Sequence, residues 1–252
     1  MLQISLYTLG SVLLVSAISL VGVLFFLRDR FMRKMLLTFV SFSSGALLGD
    51  VFIHLLPEIA EGTLPLSRGY FIVLGGIVFS FVVEKIIHWR HCHLLPEDER
   101  EHDHCHNVGA MSLVGDSVHN FIDGLAIAAS FLVSVPVGIS TTVAVMFHEI
   151  PDEIGNFAIL LHSGYSRSRA LFYNFLSALT AVLGAVVVLV SAGSLESLNV
   201  YLLPFAAGNL LYIAGSDLIP ELHKEEALPK SILQLLSMVA GIGVMYAMLF
   251  LE

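Results

Sequence analysis

The feature that most limits the fold of this chain is a series of long apolar segments. Eight of them approach the roughly 20 residues that a helix needs to cross a bilayer. Of 252 residues, 56% are hydrophobic and 13% charged, with a mean hydropathy of +0.85, whereas soluble domains are about 25% charged. The sequence therefore predicts an all-α, polytopic membrane domain covering residues 1–252. The predicted spans are 4–27, 34–56, 69–88, 110–135, 137–161, 169–192, 198–219 and 231–251.

Basic residues are unequally distributed between the two sides of this predicted domain. Eleven of the 12 Lys and Arg residues fall in or beside the loops of one side, and only Arg68 falls on the other. Basic loops stay in the cytosol, so both termini are expected outside it. The host membrane, whether a plasma or inner membrane or that of an organelle, is left open. A net charge of −9 disfavours nucleic acid as a partner, which leaves the lipid bilayer and small cations.

An acidic motif, HEIPDE, lies in the middle of the fifth predicted span. A charged side chain there costs about 2.5–3.5 kcal/mol on insertion scales, so these groups must face a cavity, a partner or a cation. Residues four apart share a helix face, which pairs His148 with Asp152 and Glu149 with Glu153, while Pro151 kinks the helix. Imidazole and carboxylate together suit zinc and its divalent first-row neighbours. A hydrogen-bonded proton relay is the alternative.

A similar cluster occurs in the fourth predicted span. His119, Asn120 and Asp123 have the i, i+1, i+4 spacing found again from His148 onward. A short connection at 134–136 would bring the two antiparallel spans, and these groups, to similar depth. The pattern predicts a shared site of four to six metal ligands, although a lone membrane histidine is more often a hydrogen bond between helices.

Further polar residues within the predicted spans suggest a route for a cation. Asp50, His54 and Glu58 lie four residues apart on one face of span two. Asp116 lies one turn inward of the span-four cluster, and Asp217 lies in span seven. These five residues are predicted to line a transport pathway. The alternative for the span-two stripe is simply the polar outer end of a helix.

The loop predicted at residues 91–108 is rich in histidine and cysteine. Such a tract cannot form a packed core, yet thiol and imidazole bind soft and borderline metals. It is therefore predicted to capture metal transiently on the cytosolic side, with a solvated linker as the alternative. The expected ligands are His91, Cys92, His93, His104, Cys105 and His106.

Spans two and seven share a sequence pattern. The stretch from Gly45 to Glu58 aligns without gaps with that from Gly208 to Glu221. Because the two spans run in opposite directions, the pattern indicates an inverted repeat, which is typical of transporters that alternate access. It predicts eight helices in a 3+2+3 arrangement. The alternative is a chance match, because the aligned stretch is short and consists mostly of Leu, Gly, Pro and Glu.

These motifs together resemble the ZIP (Zrt-, Irt-like) family of divalent metal transporters over nearly the whole chain. HNFIDG from His119 matches the family pattern HNFxDG. HEIPDE matches HExPHE except at Asp152, where many members carry histidine, and the subgroup with that signature is the most similar. The resemblance implies a primary metal site formed by His119, Asp123, His148 and Asp152. It also implies a neighbouring site formed by Asn120 and Glu149. Glu153 would be a carboxylate on the release side.

The resemblance also implies function. It indicates a facilitative or secondary transporter, not an enzyme, that moves divalent cations into the cytosol. The metal would be the substrate and not a cofactor, with zinc expected first and iron, manganese or cadmium as alternatives. Asp152 is a harder ligand than histidine and, with Asp123, could support a binuclear centre, although span six has no acidic residue.

Three alternative interpretations differ in class or direction. A metal exporter would use the same residues. An intramembrane metalloprotease would need the HExxH motif, but this chain has Asp152 at the position of the second histidine. A receptor or metal sensor would share the fold of a transporter without transporting the metal. A homodimer is possible, since helices can pair closely at Gly184, Gly241 and Gly243.

Overall fold

In the residues that the structure describes, every regular element is helical. The computed structural model describes the backbone of residues 2–20, 29–93, 101–192 and 196–251, and the side chains of 2–20, 37–86, 109–192 and 200–250. The helices are α1 Leu2–Ile18, α2 Asp29–Asp50, α3 Leu56–Glu61, α4 Leu66–His93, α5 Glu101–Val133, α6 Val135–His162, α7 Arg167–Ala178, α8 Thr180–Ala192, α9 Glu196–Tyr212, α10 Ile219–Leu222 and α11 Leu228–Met248.

Five helical stretches within the described residues are long and apolar enough to cross a membrane. They are Leu37–Glu61, Leu66–Ile86, Arg167–Ala192, Val200–Leu222 and Leu228–Met248, and they correspond to predicted spans two, three, six, seven and eight. The apolar helix α1 is shorter, and α5 and α6, which carry the acidic motifs, are not among the five. The prediction of an all-α, multi-pass membrane protein is therefore confirmed in this coarser form.

Two π-helical segments interrupt the long helices. Val51–Leu55 joins α2 to α3, and Ile213–Leu218 joins α9 to α10. Each ends two residues before a proline, Pro57 or Pro220. Proline gives no N–H to the carbonyl four residues earlier and crowds it, and a local π-turn absorbs that strain. In the alignment of spans two and seven, the two segments occupy matching positions to within one residue.

Helices α2 and α11 cross in backbone contact at two glycines. A Cβ on Gly45 would lie 2.0 Å from the carbonyl oxygen of Met238, and one on Gly241 would lie 2.2 Å from that of Phe42. Small residues allow such close helix packing within membranes. Neither position has room for any other residue without separating the helices.

Helices α4 and α9 repeat this crossing. A Cβ on Gly76 would lie 2.3 Å from the carbonyl oxygen of Phe205, and one on Gly208 would lie 2.1 Å from that of Val73. Gly208 is the residue that aligns with Gly45. The two pairs of helices therefore contain the same kind of contact, with Gly45 and Gly208 at aligned positions.

The glycines predicted for pairing between copies are mostly used within the chain. Gly184 of α8 lies against the carbonyl oxygen of Phe121, at 2.1 Å from a Cβ position, and Gly241 lies against α2. Only Gly243 of the three has open space around its Cβ position. The expectation of a dimer contact at Gly184 and Gly241 is corrected, because internal packing already uses both.

A sharp connection places α5 and α6 side by side. The hydroxyl of Ser134 accepts a hydrogen bond from the backbone N–H of Val137 at 3.2 Å and caps α6. Pro136 lies in the first turn, where its missing N–H has no consequence. With so short a link the two helices must be antiparallel neighbours, which brings the motifs of spans four and five to the same depth.

The helices on either side of the predicted 91–108 loop extend into it. Helix α4 continues to His93, and α5 begins at Glu101. The side chains of His91, Cys92, His93, His104, Cys105 and His106 lie outside the described residues.

Neighbouring glycines of α4 provide a test of the crossing with α9. We expect Gly76→Ala to destabilise the protein by about 1–3 kcal/mol, because the backbone of α9 cannot make room. Gly75 has nothing within 4 Å of its Cβ position, so Gly75→Ala should be neutral or stabilising by about 0.5–1 kcal/mol. Unfolding of the detergent-solubilised protein, followed by circular dichroism, measures both, and equal effects would contradict the crossing.

Candidate metal centre

Two residues from α5 and two from α6 converge on one point. One ligand atom from each of His119, Asp123, His148 and Glu149 lies within 4.8 Å of all the others. The spacing of four in α5 turns His119 and Asp123 to the same side, toward α6. We refer to these four residues as the His–Asp cluster.

The distances within the His–Asp cluster suit a single ion. The Nε2 atoms of His119 and His148 are 3.1 Å apart, and His148 Nε2 is 3.0 Å from Asp123 Oδ2. The remaining distances from histidine nitrogen to carboxylate oxygen are 3.3, 3.5 and 3.6 Å. Ligand bonds of about 2.0–2.2 Å place tetrahedral neighbours about 3.3–3.6 Å apart. The four groups therefore need little rearrangement to hold zinc or a similar cation.

Burial of the carboxylates in the cluster destabilises the fold unless a positive charge lies beside them. Asp123 is 0% exposed and Glu149 is 1% exposed. Although His148 Nε2 is close, none of the four carboxylate oxygens receives a well-directed hydrogen bond. The sequence contains no Lys or Arg between Arg100 and Arg167. Unsatisfied, buried acceptors of this kind match the needs of a divalent cation.

Asp152, which the family resemblance assigned to the primary metal site, is not one of the four residues of the His–Asp cluster. It is exposed in the wall of a cavity of about 270 Å³ that also reaches His119 and His148. Glu149 takes the fourth place in the His–Asp cluster instead. The arrangement therefore has two histidines and two carboxylates in contact, with a further carboxylate in the adjoining cavity.

The cavity lies toward one end of the bundle. Its lining comes from the C-terminal halves of α4, α6 and α9 and the N-terminal half of α5. Those ends lead into the loops that carry most of the Lys and Arg residues. Two of the predicted pathway residues, Asp116 and Asp217, line this cavity.

The other three predicted pathway residues do not line that cavity. Asp50 is fully buried at the end of α2, and His54 Nε2 lies 3.0 Å from the carbonyl oxygen of Met245 in α11. Glu58 lines a second cavity, of about 340 Å³, which is mostly apolar and lies at the opposite end of the bundle. The structure thus does not bring these three residues together with the His–Asp cluster.

Asn120 and Glu153, both predicted near the metal, belong to a second polar group. Asn120 donates its amide N–H to the backbone carbonyl and to Oδ1 of Asp116, each at 3.2 Å. Glu153 Oε2 accepts a hydrogen bond from Asn174 of α7. Predicted span six, which has no acidic residue, therefore contributes amide and hydroxyl groups that hold the carboxylates of its neighbours.

Ser43 is a functional residue that sequence reasoning missed. Pro151 leaves the carbonyl of Phe147 without its intrahelical donor. The hydroxyl of Ser43, fully buried on α2, lies 2.6 Å from that oxygen and 2.7 Å from the carbonyl oxygen of Phe39, so its one proton is shared between the two acceptors. The rings of Phe42 and Phe147 pack edge to face with centroids 4.5 Å apart. Ser43 thus links α2 to the backbone of α6 immediately before His148. Only the presence of Pro151 hinted that an outside donor was needed.

Comparisons with known proteins agree with this site. The model of a family described as ZIP zinc transporter matches residues 2–110 and 90–249. The chain is 36% identical to the zinc transporter ZIP13 homolog of Drosophila melanogaster over 86% of this chain and 78% of that protein. It is 38% identical to zinc transporter ZIP13 of Pongo abelii over 82% of this chain and 64% of that protein. Zinc transporter zipt-7.2 of Caenorhabditis elegans is 31% identical over 84% of this chain and 58% of that protein.

A bundle of apolar helices with a buried centre of imidazoles and carboxylates defines a membrane protein that handles metal cations. The chain belongs to the ZIP zinc transporter family. This family consists of transporters and not enzymes, so the metalloprotease alternative is set aside. The chain spans less than two thirds of the length of the orangutan and worm relatives.

A double-mutant cycle tests the role of Ser43. We expect Ser43→Ala to cost about 1–3 kcal/mol, because it leaves a buried carbonyl without a donor. In a Pro151→Ala background the helix regains its own N–H donor, and the same substitution should cost less than about 0.5 kcal/mol. Unfolding in detergent and zinc affinity are the measurements.

Ser41→Ala is the matched control for that cycle. Ser41 is also fully buried, but its hydroxyl bonds only within its own helix, to Leu37 O at 2.6 Å. We expect no dependence on Pro151 there. Equal losses for Ser43→Ala in the two backgrounds would exclude the proposed hydrogen bond as the reason for the effect.

Proposed function

We propose that this chain transports divalent cations through the His–Asp cluster, with zinc as the foremost substrate and iron, manganese or cadmium as further candidates. The observation that carries the proposal is the convergence of four ligand atoms within 4.8 Å, with buried carboxylate oxygens that receive no directed hydrogen bond. Its relatives bear the name zinc transporter. The cation is the cargo, so no resident cofactor is required.

The exposure of the centre favours transport over a structural role. A closed structural zinc site uses all four positions and excludes solvent. Here the side chain of His119 is 19% exposed, and both histidines border the cavity. The bound cation can therefore regain water on leaving.

The opposite side of the centre supports one-sided access. Beyond Asp123, α5 continues with Ala126, Ile127 and Ala128, each fully buried. A cation in the His–Asp cluster can reach solvent through the cavity but not through this apolar seal. Access from the far side then requires a second conformation, as alternating access demands.

The direction we propose is import into the cytosol. The cavity lies toward the end of the bundle where the Lys- and Arg-bearing loops follow, and basic loops favour the cytosolic side. Both termini would then lie outside the cytosol, and Asp116, Asp217 and Glu153 would stand on the release side. The His- and Cys-rich segment at 91–108 would receive the cation, whereas Asp50, His54 and Glu58 would act from the outer side.

The architecture we propose is eight membrane-spanning helices in a 3+2+3 inverted repeat. Three paired features support it. The π-helical segments Val51–Leu55 and Ile213–Leu218 match in position, as do Pro57 and Pro220. The glycine crossing of α2 with α11 resembles that of α4 with α9. In that scheme α5 and α6 form the central pair that bears the centre. A homodimer could use α11 near Gly243.

Loss of a ligand from each helix should abolish transport. In liposomes with a zinc-sensitive dye inside, we expect His148→Ala and Asp123→Ala each to lower zinc flux by more than about tenfold, since even removal of outer partners of metal ligands costs 10–100-fold. His162→Ala, on the same helix but exposed, is the control. Folded His148→Ala and Asp123→Ala proteins with normal flux would refute the function, and the sign of the dye response in oriented vesicles distinguishes import from export.

Asp152 should influence which metal is preferred. We expect Asp152→His to raise the ratio of zinc to manganese uptake several-fold, because imidazole is a softer ligand than carboxylate. Asp152→Glu, which keeps the ligand type, should leave the ratio nearly unchanged. Competition uptake in the same liposomes measures both variants, and an unaltered ratio for Asp152→His would place Asp152 outside the selective step.

A further inference from the structure

A groove on the side of the bundle has no part in the metal centre. It has a volume of about 380 Å³ and lies between α5 and the break at Leu179, where α7 ends and α8 begins. One wall runs from Tyr173 to Leu183, and Leu113 and Ser117 of α5 stand opposite. Tyr173 and Leu183 are 39% and 60% exposed, so the groove faces outward from the bundle. We call it the α7 groove.

The hydroxyl groups that line the α7 groove are already bonded within the protein. Ser117 donates to the carbonyl oxygen of Leu113 at 2.7 Å, and Ser177 donates to the carboxylate of Asp116. The hydroxyl of Thr180 lies 2.6 Å from the carbonyl oxygens of both Ser117 and Ser177. The rest of the lining is leucine and tyrosine. The groove therefore presents a mainly apolar surface, which suits a hydrocarbon chain better than a polar ligand.

The length of the α7 groove matches one leaflet of a bilayer. From Tyr173 to Leu183 the chain rises by about 15 Å, at about 1.5 Å per helical residue. The hydrocarbon core of a bilayer is about 30 Å thick, so one leaflet contributes about half of that. Next to Leu183 the groove is closed, because a Cβ on Gly184 would lie 2.1 Å from the carbonyl oxygen of Phe121 in α5. An acyl chain can therefore enter only from the end near Tyr173.

Positive charge and aromatic rings lie at the open end of the α7 groove. Arg169 precedes Tyr173 by four residues and so shares its helix face; it is exposed. The ion pairs in the described part of the chain do not include Arg169. The rings of Tyr165 and Tyr173 pack edge to face with centroids 5.8 Å apart, and tyrosine is enriched at the level of lipid headgroups. A guanidinium group at that level can bind a phosphate through paired N–H donors.

We propose that the α7 groove binds a phospholipid of net negative charge, with one acyl chain in the groove and the headgroup phosphate on Arg169. Basic pockets between membrane helices recognise anionic headgroups in this way. The lipid would contact the turn of α7 in which Ser177 holds Asp116, a residue in the wall of the cation cavity. The site requires that the chain lie in a membrane, but it does not depend on the transport proposal.

Quenching of tryptophan fluorescence by brominated lipids tests the site in liposomes. Trp89 is the only tryptophan of the chain, so a Trp89→Phe background leaves any added tryptophan as the sole reporter. Phe172→Trp puts that reporter beside Tyr173, and Leu235→Trp puts it on α11; both replaced side chains are 60% exposed. We expect brominated phosphatidylglycerol to bind about fivefold more strongly than brominated phosphatidylcholine at the α7 reporter, as one basic residue near a lipid surface provides. The two lipids should bind about equally at the α11 reporter.

Two arginine substitutions distinguish the α7 groove from a general attraction to basic loops. Arg169→Gln should lower the preference at the α7 reporter to about one. Arg167→Gln removes the same charge two residues earlier, on a different face of α7, and should leave most of the preference in place. Equal preferences at the two reporters, or equal effects of the two substitutions, would overturn the proposal. Circular dichroism checks that each variant is folded, and zinc flux is measured separately, so failure of this site leaves the transport proposal standing.

Discussion

Uncompensated negative charge in the interior of the helical bundle is the constraint on which the rest of this structure depends. Asp123, Glu149 and Glu153 are almost fully buried, and the sequence provides no Lys or Arg in their helices between Arg100 and Arg167. An apolar environment without counter-charges makes each carboxylate expensive. The fold meets that cost in two ways, by placing histidines against one pair of acids and by turning amides and hydroxyls of α7 toward the other.

The surrounding helices are arranged to keep that interior in place. Proline at position 151 removes one intrahelical hydrogen bond of α6 near the centre, and Ser43 of α2 lies within hydrogen-bond distance of the carbonyl that the proline leaves free. Backbone contacts at Gly124, whose Cβ position is 1.9 Å from the Ala181 carbonyl oxygen, hold α8 against α5. Because these contacts involve backbone atoms, they do not yield as side chains do. The centre therefore lies between helices whose separation is fixed.

Much of the centre could be predicted from spacing alone. A four-residue interval in α5, the repeated spacing in α6 and the short link at Ser134 were sufficient to expect His119, Asp123 and His148 together. The choice between Glu149 and Asp152 was not predictable, since they lie on adjoining stripes of a kinked helix and tertiary contacts decide which stripe faces α5. Ser43 had no local signal to distinguish it from Ser41 and Ser44, because its partner is 104 residues away. The role of α7 was missed for the same reason, because Asn174 and Ser177 donate hydrogen bonds to carboxylates on other helices.

Release of a tightly held cation needs ligands of graded strength, and the position of the acids offers such a gradient. In the His–Asp cluster two imidazoles and two carboxylates would surround a bound cation at short range. In the adjoining cavity only carboxylates and other oxygens follow, with Asp116, Asp152 and Asp217 on its walls. Oxygen ligands bind zinc less strongly than imidazole does and compete on closer terms with water. Under the proposed function, a cation that leaves the histidines would therefore stay in a negative potential while it regains its hydration shell, and its departure would proceed in small steps.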